Sequence, residues 1–285
     1  MKKAIIDIGS NSVRLMLWAD GTTLYKKIST TRLGEGIAHT ATLKEEAIAR
    51  TAEAVRLFFE EGLSAGAEVH AFATAAVRSA KNGADFCARV KSLTGIDIDI
   101  VSGNREADLA LIGALGKDDG AIIDIGGAST EVCLRTHGIK TFSKSLDIGA
   151  VRLLDLCGGN PETIIKVVEK AVAPLKGVRP TGKVVAVGGT ATTLASLKLK
   201  LKEYSAAAVQ DLPLTLSEVR KTAETLSKMT TEERSQLPGM DPHRADVIAG
   251  AAYLLAAVME ELNVQKIEVS DRDNLEGYLY GSVLA

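Results

Sequence analysis

Short apolar runs alternate along this chain with segments in which apolar side chains recur every three or four positions. That alternation is typical of α/β domains with mixed sheets, and it argues against a helical bundle or an all-β fold. Capping boxes at Thr42–Glu45 and Thr215–Glu218 predict the starts of two helices. The pattern predicts further helices at 83–93, 105–115, 242–262 and 274–284, and strands at 70–74, 96–101, 183–187 and 267–270.

An internal repeat divides the chain into two related halves. The sequence AIIDIG occurs at 4–9 and again at 121–126, and each copy is followed by a polar turn and a second apolar run. Each half is therefore expected to begin with a hairpin. The glycine-bounded segment 116–120 is the expected crossing, so the predicted domains are 1–117 and 118–285. The terminal segment 274–285 is expected to pack back on the first domain.

Three glycine-rich turns follow predicted strands, at 7–12, 124–130 and 187–193. One such turn alone is more often a simple bend, but three in one chain, two of them repeated, indicate phosphate binding. Glycine lets backbone amides approach oxyanions, serine and threonine add donors, and a helix N-terminus attracts anions. The candidate phosphate-binding residues in these turns are Ser10, Asn11, Ser12, Gly126, Gly127, Ser129, Gly188, Gly189 and Thr190.

Two aspartates occupy equivalent positions in the repeat, at the ends of the strands that lead into the first two turns. Asp7 and Asp124 are expected to face each other across a cleft between the halves. Hard carboxylate oxygens suit a Mg²⁺ ion that keeps several waters and bridges to substrate phosphates. The sequence therefore predicts that these two aspartates bind magnesium.

Composition narrows the classes of partner and of location. The 285 residues carry a formal net charge of -2, so no global positive field attracts nucleic acid or an anionic membrane. The three cysteines are widely spaced and indicate neither disulfides nor a zinc site. The longest apolar stretch, 247–259, is too short to span a bilayer, which takes about 20 residues. No nucleic-acid or membrane partner is expected, and the expected location is the cytoplasm.

Several separated motifs resemble those of one family across nearly the whole chain. They are DIGSNSVRL at 7–15, RLGEG at 32–36, TAAVRSAKN at 74–82, SGNREA at 102–107, DIGGASTE at 124–131, GGTATTLA at 188–195 and RADVIAG at 244–250. Together they resemble the exopolyphosphatase and guanosine pentaphosphate phosphohydrolase (Ppx/GppA) family of the actin-like ATPase superfamily. The resemblance implies two ribonuclease-H-like domains, each with a mixed sheet flanked by helices, and an active site in the cleft between them.

The resemblance also implies roles for charged residues. Glu106 matches the glutamate of the family motif Gly-x-x-Glu-Ala and would orient or deprotonate the attacking water. Arg14, Arg32 and Arg78 fall in matched motifs and would contact the polyanion, since a guanidinium offers paired donors to phosphate oxygens. Three positions depart from the family pattern: Ala128 replaces a usual glycine, Arg105 precedes Glu106 where an acidic residue is common, and the arginine that usually precedes Glu276-Gly277 is missing.

The activity implied is release of orthophosphate from the ends of inorganic polyphosphate with Mg²⁺. Hydrolysis of guanosine pentaphosphate is an alternative that the sequence does not separate from it. Short chains are expected to be favoured, because the helical C-terminal domains of longer members are absent. An actin-like ATPase or small-molecule kinase and a non-catalytic alarmone or polyphosphate sensor stay open as further alternatives. Dimers are common among such enzymes, so a homodimer is a further expectation.

Overall fold

The two copies of AIIDIG form the central strands of two mixed sheets. A computed structural model describes residues 1–284, and both copies are almost entirely buried within it. The first sheet contains β1 (Lys2–Ile8), β2 (Ser12–Ala19), β3 (Thr22–Thr30), β4 (Glu68–Ala73) and β5 (Ile98–Ile100). The second contains β6 (Gly120–Ile125), β7 (Thr130–Thr136), β8 (Ile139–Leu146), β9 (Val184–Val187), β10 (Pro213–Thr215) and β11 (Lys266–Val269).

The strand order repeats between the sheets. It is β3-β2-β1-β4-β5 in the first sheet and β10-β11-β9-β6-β7-β8 in the second, so β10 is the additional edge strand. In both sheets the central strand pairs antiparallel with the strand that follows it in sequence. On its other side it pairs parallel with a later strand, β1 with β4 and β6 with β9. This confirms the predicted hairpins and the predicted α/β class with two ribonuclease-H-like mixed sheets. The division at 117/118 stays a prediction.

Thirteen α-helices within residues 1–284 connect and flank the strands. They are α1 (Ile37–Thr40), α2 (Glu45–Ser64), α3 (Ala75–Ser79), α4 (Gly83–Thr94), α5 (Gly103–Leu115), α6 (Ala150–Cys157), α7 (Pro161–Val172), α8 (Gly188–Leu199), α9 (Ala206–Val209), α10 (Leu216–Ser227), α11 (Thr231–Ser235), α12 (Ile248–Glu261) and α13 (Asn274–Tyr278). Short 3₁₀ turns occupy Ala173–Leu175 and Pro242–Arg244, and a π-helical turn occupies Leu279–Val283.

Helix starts show where local sequence patterns succeed and where tertiary contacts override them. The capping box at Thr215 and Glu218 is confirmed. The one predicted at Thr42 is wrong, because α2 begins at Glu45 with Lys44 as its N-cap. The side chain of Asn82 accepts a hydrogen bond from the Leu43 amide at 2.9 Å and donates to its carbonyl at 3.0 Å, which holds that residue outside the helix.

The apolar helix predicted at 242–262 is also shorter than expected. A 3₁₀ turn replaces its first residues, and α12 begins only at Ile248. The predicted terminal helix likewise changes character after Tyr278, where the π-helical turn takes over. No helix within residues 1–284 combines the length and the apolar character needed to cross a membrane.

Helix α5 lies between the two sheets and packs on both. Its Leu109 joins a buried apolar cluster with Ile5 and Phe72 of the first sheet, whereas its Leu111 packs with Ile122 of the second. Burial of such side chains contributes about 25 cal/mol per Å² of apolar surface removed from water. The last helix of the first half of the chain therefore connects the two sheets.

The contact between α5 and α13 is close enough to require glycine on both helices. A Cβ at Gly113 would lie 1.9 Å from the Asp273 carbonyl oxygen, and a Cβ at Gly277 would lie 1.9 Å from the Leu109 carbonyl oxygen. Both obstacles are backbone atoms, which cannot rotate away. The two helices therefore touch backbone to backbone.

We expect Gly113→Ala to lower the free energy of unfolding by roughly 2 kcal/mol, although alanine favours a helix interior by about 1 kcal/mol. The added methyl group would force α13 away from α5. Chemical denaturation would measure the change, with Asn104→Ala on the exposed face of α5 as control. Equal stability of the two variants would contradict the close contact.

Candidate active site

The three glycine-rich turns converge on one narrow cleft of about 80 Å³. The first turn joins β1 to β2, the second joins β6 to β7, and the third leads from β9 into α8. Every predicted site residue lines this cleft except Arg32 and Arg78. The repeat therefore brings equivalent turns from the two halves together, and no local pattern could have fixed that distance.

Two glycines show how tightly the turns approach. A Cβ at Gly127 would lie 2.8 Å from Ser10 Cβ, so the first two turns touch each other. Gly188 has a φ of +78°, and a Cβ there would lie 2.6 Å from the Asp124 Oδ1 atom. Ala128, the departure from the family pattern, is buried and is absent from the positions with positive φ, so its methyl group causes no backbone strain.

Glu106 enters the cleft from the first turn of α5. It is 5% exposed, and its Oε2 accepts a hydrogen bond from Arg78 Nη1 at 2.9 Å. Burial raises its pKa to about 7, although Arg78 and the Thr74 hydroxyl act in the opposite direction. A carboxyl group with such a pKa can exchange protons near neutral pH.

Arg78 contacts Glu106 but does not itself line the cleft. It lies on α3, and its Nη1 also donates to the Val101 carbonyl at 2.8 Å. Its expected contact with the polyanion stays a prediction.

Asp7 and Arg14 form a partly buried ion pair on the hairpin of the first half. Arg14 Nε donates to Asp7 Oδ2 at 3.0 Å, and Arg14 also pairs with Asp273, which sequence analysis missed. Burial raises the pKa of Asp7 against the effect of Arg14. The Asp7 Oδ1 atom is buried and has no hydrogen-bond partner within residues 1–284.

Asp124 occupies the equivalent place in the second half. Its Oδ2 accepts a hydrogen bond from Asn274 Nδ2 at 3.2 Å. Burial, followed by the negative charges of Asp273 and Glu106, raises its pKa to about 7. The two aspartates thus line one cleft, and each is held by a different partner.

Glu131 is a further buried carboxylate that sequence analysis quoted in a motif without assigning it a role. It is fully buried on β7 and accepts a hydrogen bond from Ser145 Oγ at 2.7 Å through Oε1. Its Oε2 has no partner in the described part of the chain. Burial and the charges of Glu106 and Asp124 raise its pKa. A charged residue inside an apolar strand was the available signal.

This carboxylate cluster fits a cation. Within residues 1–284, Asp7 Oδ1 and Glu131 Oε2 are buried oxygens without hydrogen-bond partners. Burial raises the pKa values of Asp7, Asp124 and Glu131, so each of these carboxylates is destabilised when ionised. Across residues 1–284 no group of three or more His, Cys, Asp or Glu side chains is arranged as a ready metal site. Few protein ligands beside several waters are what Mg²⁺ usually takes. The assignment of metal to Asp7 and Asp124 stays a prediction.

Arg244 is a cleft residue that lay in a recognised motif but received no role. A Cβ at Gly189 would lie 2.1 Å from its Cζ atom, so the guanidinium covers that glycine. Burial lowers its pKa, and its ion pair with Asp241 is long, at 3.7 Å. A largely buried guanidinium whose ion pair is this long suits an anionic ligand.

Arg32 lies at the rim of the cleft and pairs with the other half of the chain. Its Nη1 lies 2.7 Å from Asp246 Oδ2. On the same loop the Gly36 amide donates to Asp155 Oδ2 at 2.9 Å, and His39 Nε2 lies 2.9 Å from the Asp155 carbonyl oxygen. These polar contacts, which we call the rim contacts, connect the loop 31–41 to α6 and to the segment before α12.

A larger cavity of about 570 Å³ adjoins the cleft. Arg14, Gly188, Gly189 and Arg244 line both spaces. The cavity wall also contains cationic side chains and a group of apolar ones, the latter being Ile28, Leu201, Leu237, Pro238, Met240 and Leu275. Leu275 stands where the family usually has arginine, and it is fully buried.

Comparisons with known proteins agree with this architecture. Residues 17–285 match the model of the Ppx/GppA phosphatase family. Exopolyphosphatase 2 of Mycobacterium tuberculosis is 32% identical over 307 aligned positions, which cover 96% of each chain.

Solved structures with similar folds include relatives of the same kind. An Aquifex aeolicus member of the Ppx/GppA family is 30% identical with a TM-score of 0.80, covering 100% of this chain and 98% of its own. An exopolyphosphatase from Cytophaga hutchinsonii is 26% identical with a TM-score of 0.87, covering 98% and 97%. The motifs, the converging glycine turns and these likenesses together place the chain in the Ppx/GppA phosphatase family.

Proposed function

We propose that this protein is an exopolyphosphatase that hydrolyses the terminal phosphate of inorganic polyphosphate. The observation that carries the proposal is Glu106, a buried carboxylate held by Arg78 in the wall of a cleft built from three glycine-rich turns. The similarity to exopolyphosphatases of other bacteria supports the same choice. The cleft of about 80 Å³ suits a phosphate group better than a whole organic ligand, which usually needs roughly 300 Å³ or more.

The residues of the cleft divide the work of hydrolysis. The Glu106 carboxylate accepts a proton from a water molecule as the water oxygen bonds to the terminal phosphorus atom. The bond from that phosphorus to the bridging oxygen breaks, and the shortened chain keeps the bridging oxygen and its electron pair. Orthophosphate is the second product. Backbone amides and hydroxyls of the turns, with Arg14 and Arg244, stabilise the charge on the phosphate oxygens.

Magnesium completes this proposal. Asp7 and Asp124, with Glu131 opposite Asp124 on the neighbouring strand, would hold the ion, because Asp7 Oδ1 and Glu131 Oε2 have no hydrogen-bond partner within residues 1–284 and burial raises the pKa of Asp124. A bound Mg²⁺ would neutralise carboxylate and phosphate charge. Without such a cation, a polyanion would enter a cleft that already contains several carboxylates.

A preference for short chains is part of the proposal, since the enclosed cleft is small. A cytoplasmic location and a homodimer stay predictions. Only hydrolysis requires Glu106 to accept a proton from water. The kinase and sensor alternatives have no such requirement.

Guanosine pentaphosphate is the second candidate substrate, and the adjoining cavity favours it. Its volume of about 570 Å³ lies in the range that organic ligands occupy, roughly 300 to 1,000 Å³. Apolar side chains such as Leu237 and Met240 offer contacts for a base that an inorganic chain would not use. A terminal phosphate in the cleft would leave the nucleoside within reach of this cavity.

Purified protein with Mg²⁺ is expected to release orthophosphate from polyphosphate, and Glu106→Gln is expected to lower kcat about 10²- to 10⁴-fold because the proton acceptor is lost. Phosphate assays with short and long polyphosphate, guanosine pentaphosphate and ATP would measure this. The exposed Glu169→Gln is the matched control. ATP-dependent phosphorylation of a small molecule would support the kinase alternative. Tight binding without any release, unchanged by the Glu106 substitution, would support the sensor.

The acid limb of the pH profile should move with Arg78. The active form of Glu106 is the carboxylate, so kcat/KM is expected to fall about tenfold per pH unit below roughly pH 7. Arg78 lowers the pKa of Glu106, so Arg78→Gln should raise that pKa and shift the limb to higher pH. Arg32→Gln should not shift it, because Arg32 contacts Asp246 instead. Equal shifts in the two variants would refute the assignment of the limb to Glu106.

Filling the cavity should separate the two candidate substrates. Leu237→Trp is expected to raise the KM for guanosine pentaphosphate about tenfold or more, equivalent to about 1.4 kcal/mol, because the indole occupies the space for the base. Steady-state assays with tripolyphosphate should show little change. Leu199→Trp, at the exposed end of α8, is the matched control. Unchanged kinetics with guanosine pentaphosphate would remove the cavity from its recognition.

A further inference from the structure

Asn274 makes an unusual contact for a residue at the start of a short terminal helix. It is 4% exposed and lines the cleft, and its Nδ2 donates to Asp124 Oδ2 at 3.2 Å. Its own Oδ1 is buried and has no hydrogen-bond partner within residues 1–284. The side chain is therefore held in the cleft by one contact only, and that contact is to a predicted metal-binding aspartate.

The backbone that carries Asn274 is fixed on several sides. Asp273 accepts a hydrogen bond from the Leu275 amide at 3.1 Å, and Glu276 Oε2 accepts one from the Asp273 amide at 3.1 Å. The close contact of Gly113 with the Asp273 carbonyl holds the same turn against α5. A rigid backbone of this kind can orient a side chain to within a fraction of an ångström.

The neighbouring residue acts on the other half of the cleft. Asp273 pairs with Arg14, and Arg14 pairs with Asp7. The dipeptide Asp273-Asn274 thus contacts both halves of the repeat. Asp273 reaches Asp7 through Arg14, and Asn274 contacts Asp124 directly. A rotation of Asp7 or of Asp124 that moves its bonded oxygen would break one of these contacts.

We propose that Asn274 is a positioning residue that orients Asp124 for binding of the magnesium ion. The amide donor fixes Oδ2 and so sets the direction of Oδ1, which lies against Gly188 at the mouth of the third turn. Partners that hydrogen-bond to metal ligands typically change metal affinity 10- to 100-fold when removed. The inference rests on the proposed magnesium-dependent hydrolysis.

The test is a calorimetric titration of substrate-free protein with Mg²⁺. Asn274→Leu has similar volume but no donor, and it is expected to raise the dissociation constant for Mg²⁺ at least about tenfold. In phosphate-release assays the same variant should need more Mg²⁺ for half-maximal rate, and saturating Mg²⁺ should restore most of kcat. Asn274→Ala provides a second variant if the leucine does not fold.

Asn160→Ala separates positioning from simple loss of stability. Asn160 is the N-cap of α7, where its side chain accepts the Thr163 amide at 3.0 Å, away from the cleft. Loss of such a cap costs about 1 kcal/mol of stability. This control should melt earlier yet bind Mg²⁺ as the wild type does.

The outcomes distinguish this inference from the proposed function. A Mg²⁺ dissociation constant within about twofold of wild type in the Asn274 variants would overturn the positioning role, as would absence of Mg²⁺ binding by the wild type. If the wild type binds Mg²⁺ but hydrolyses no polyphosphate, the proposed function fails, while a weakened Mg²⁺ titration of Asn274→Leu would still support the positioning of Asp124.

Discussion

The backbone contact between α5 and α13 is the constraint on which the cleft depends. Gly113 and Gly277 allow the two helices to touch, and no larger residue fits at either position without moving a main chain. One helix carries Glu106 and the other begins with Asn274, immediately after Asp273. The distance between the proposed base and the groups around the two aspartates is therefore set by this backbone contact, which does not depend on substrate or metal.

The cleft and the strand beside it also concentrate charge that burial destabilises. Glu106 and Asp124 in the cleft, and Glu131 on the strand next to Asp124, all have raised pKa values because burial removes them from water. Arg14 and Arg78 compensate part of this charge, each in contact with a carboxylate. Such a cluster of buried carboxylates is electrostatically unfavourable by itself. A bound cation would stabilise it most, together with a ligand whose negative charge is shared among the many hydrogen-bond donors of the turns.

Much of the fold was predictable because its signals can be read in the sequence itself. The hairpins follow from the two copies of AIIDIG and the turns after them, and the helix of Glu106 follows from the apolar spacing in 105–115. The mixed sheets follow from the alternation of strand and helix patterns along the chain. The partners of long side chains were not predictable, because they depend on tertiary distances. Arg78 reaches a glutamate on another helix, and Arg32 reaches Asp246 far along the chain. The side chain of Asn82 likewise overrode a capping box that looked complete in sequence.

The rim contacts differ in kind from the packing of α5 against α13. Arg32 with Asp246, and Gly36 and His39 with Asp155, are polar contacts near solvent. Exposed ion pairs contribute about 1 kcal/mol or less, and salt weakens them further. The glycine contact of α5 and α13 has no such dependence. The two halves are thus joined in two ways. The backbone contact of α5 with α13 is insensitive to dissolved salt, whereas the rim contacts include an ion pair that salt weakens, so raising the ionic strength is expected to loosen the rim while α5 and α13 stay in contact.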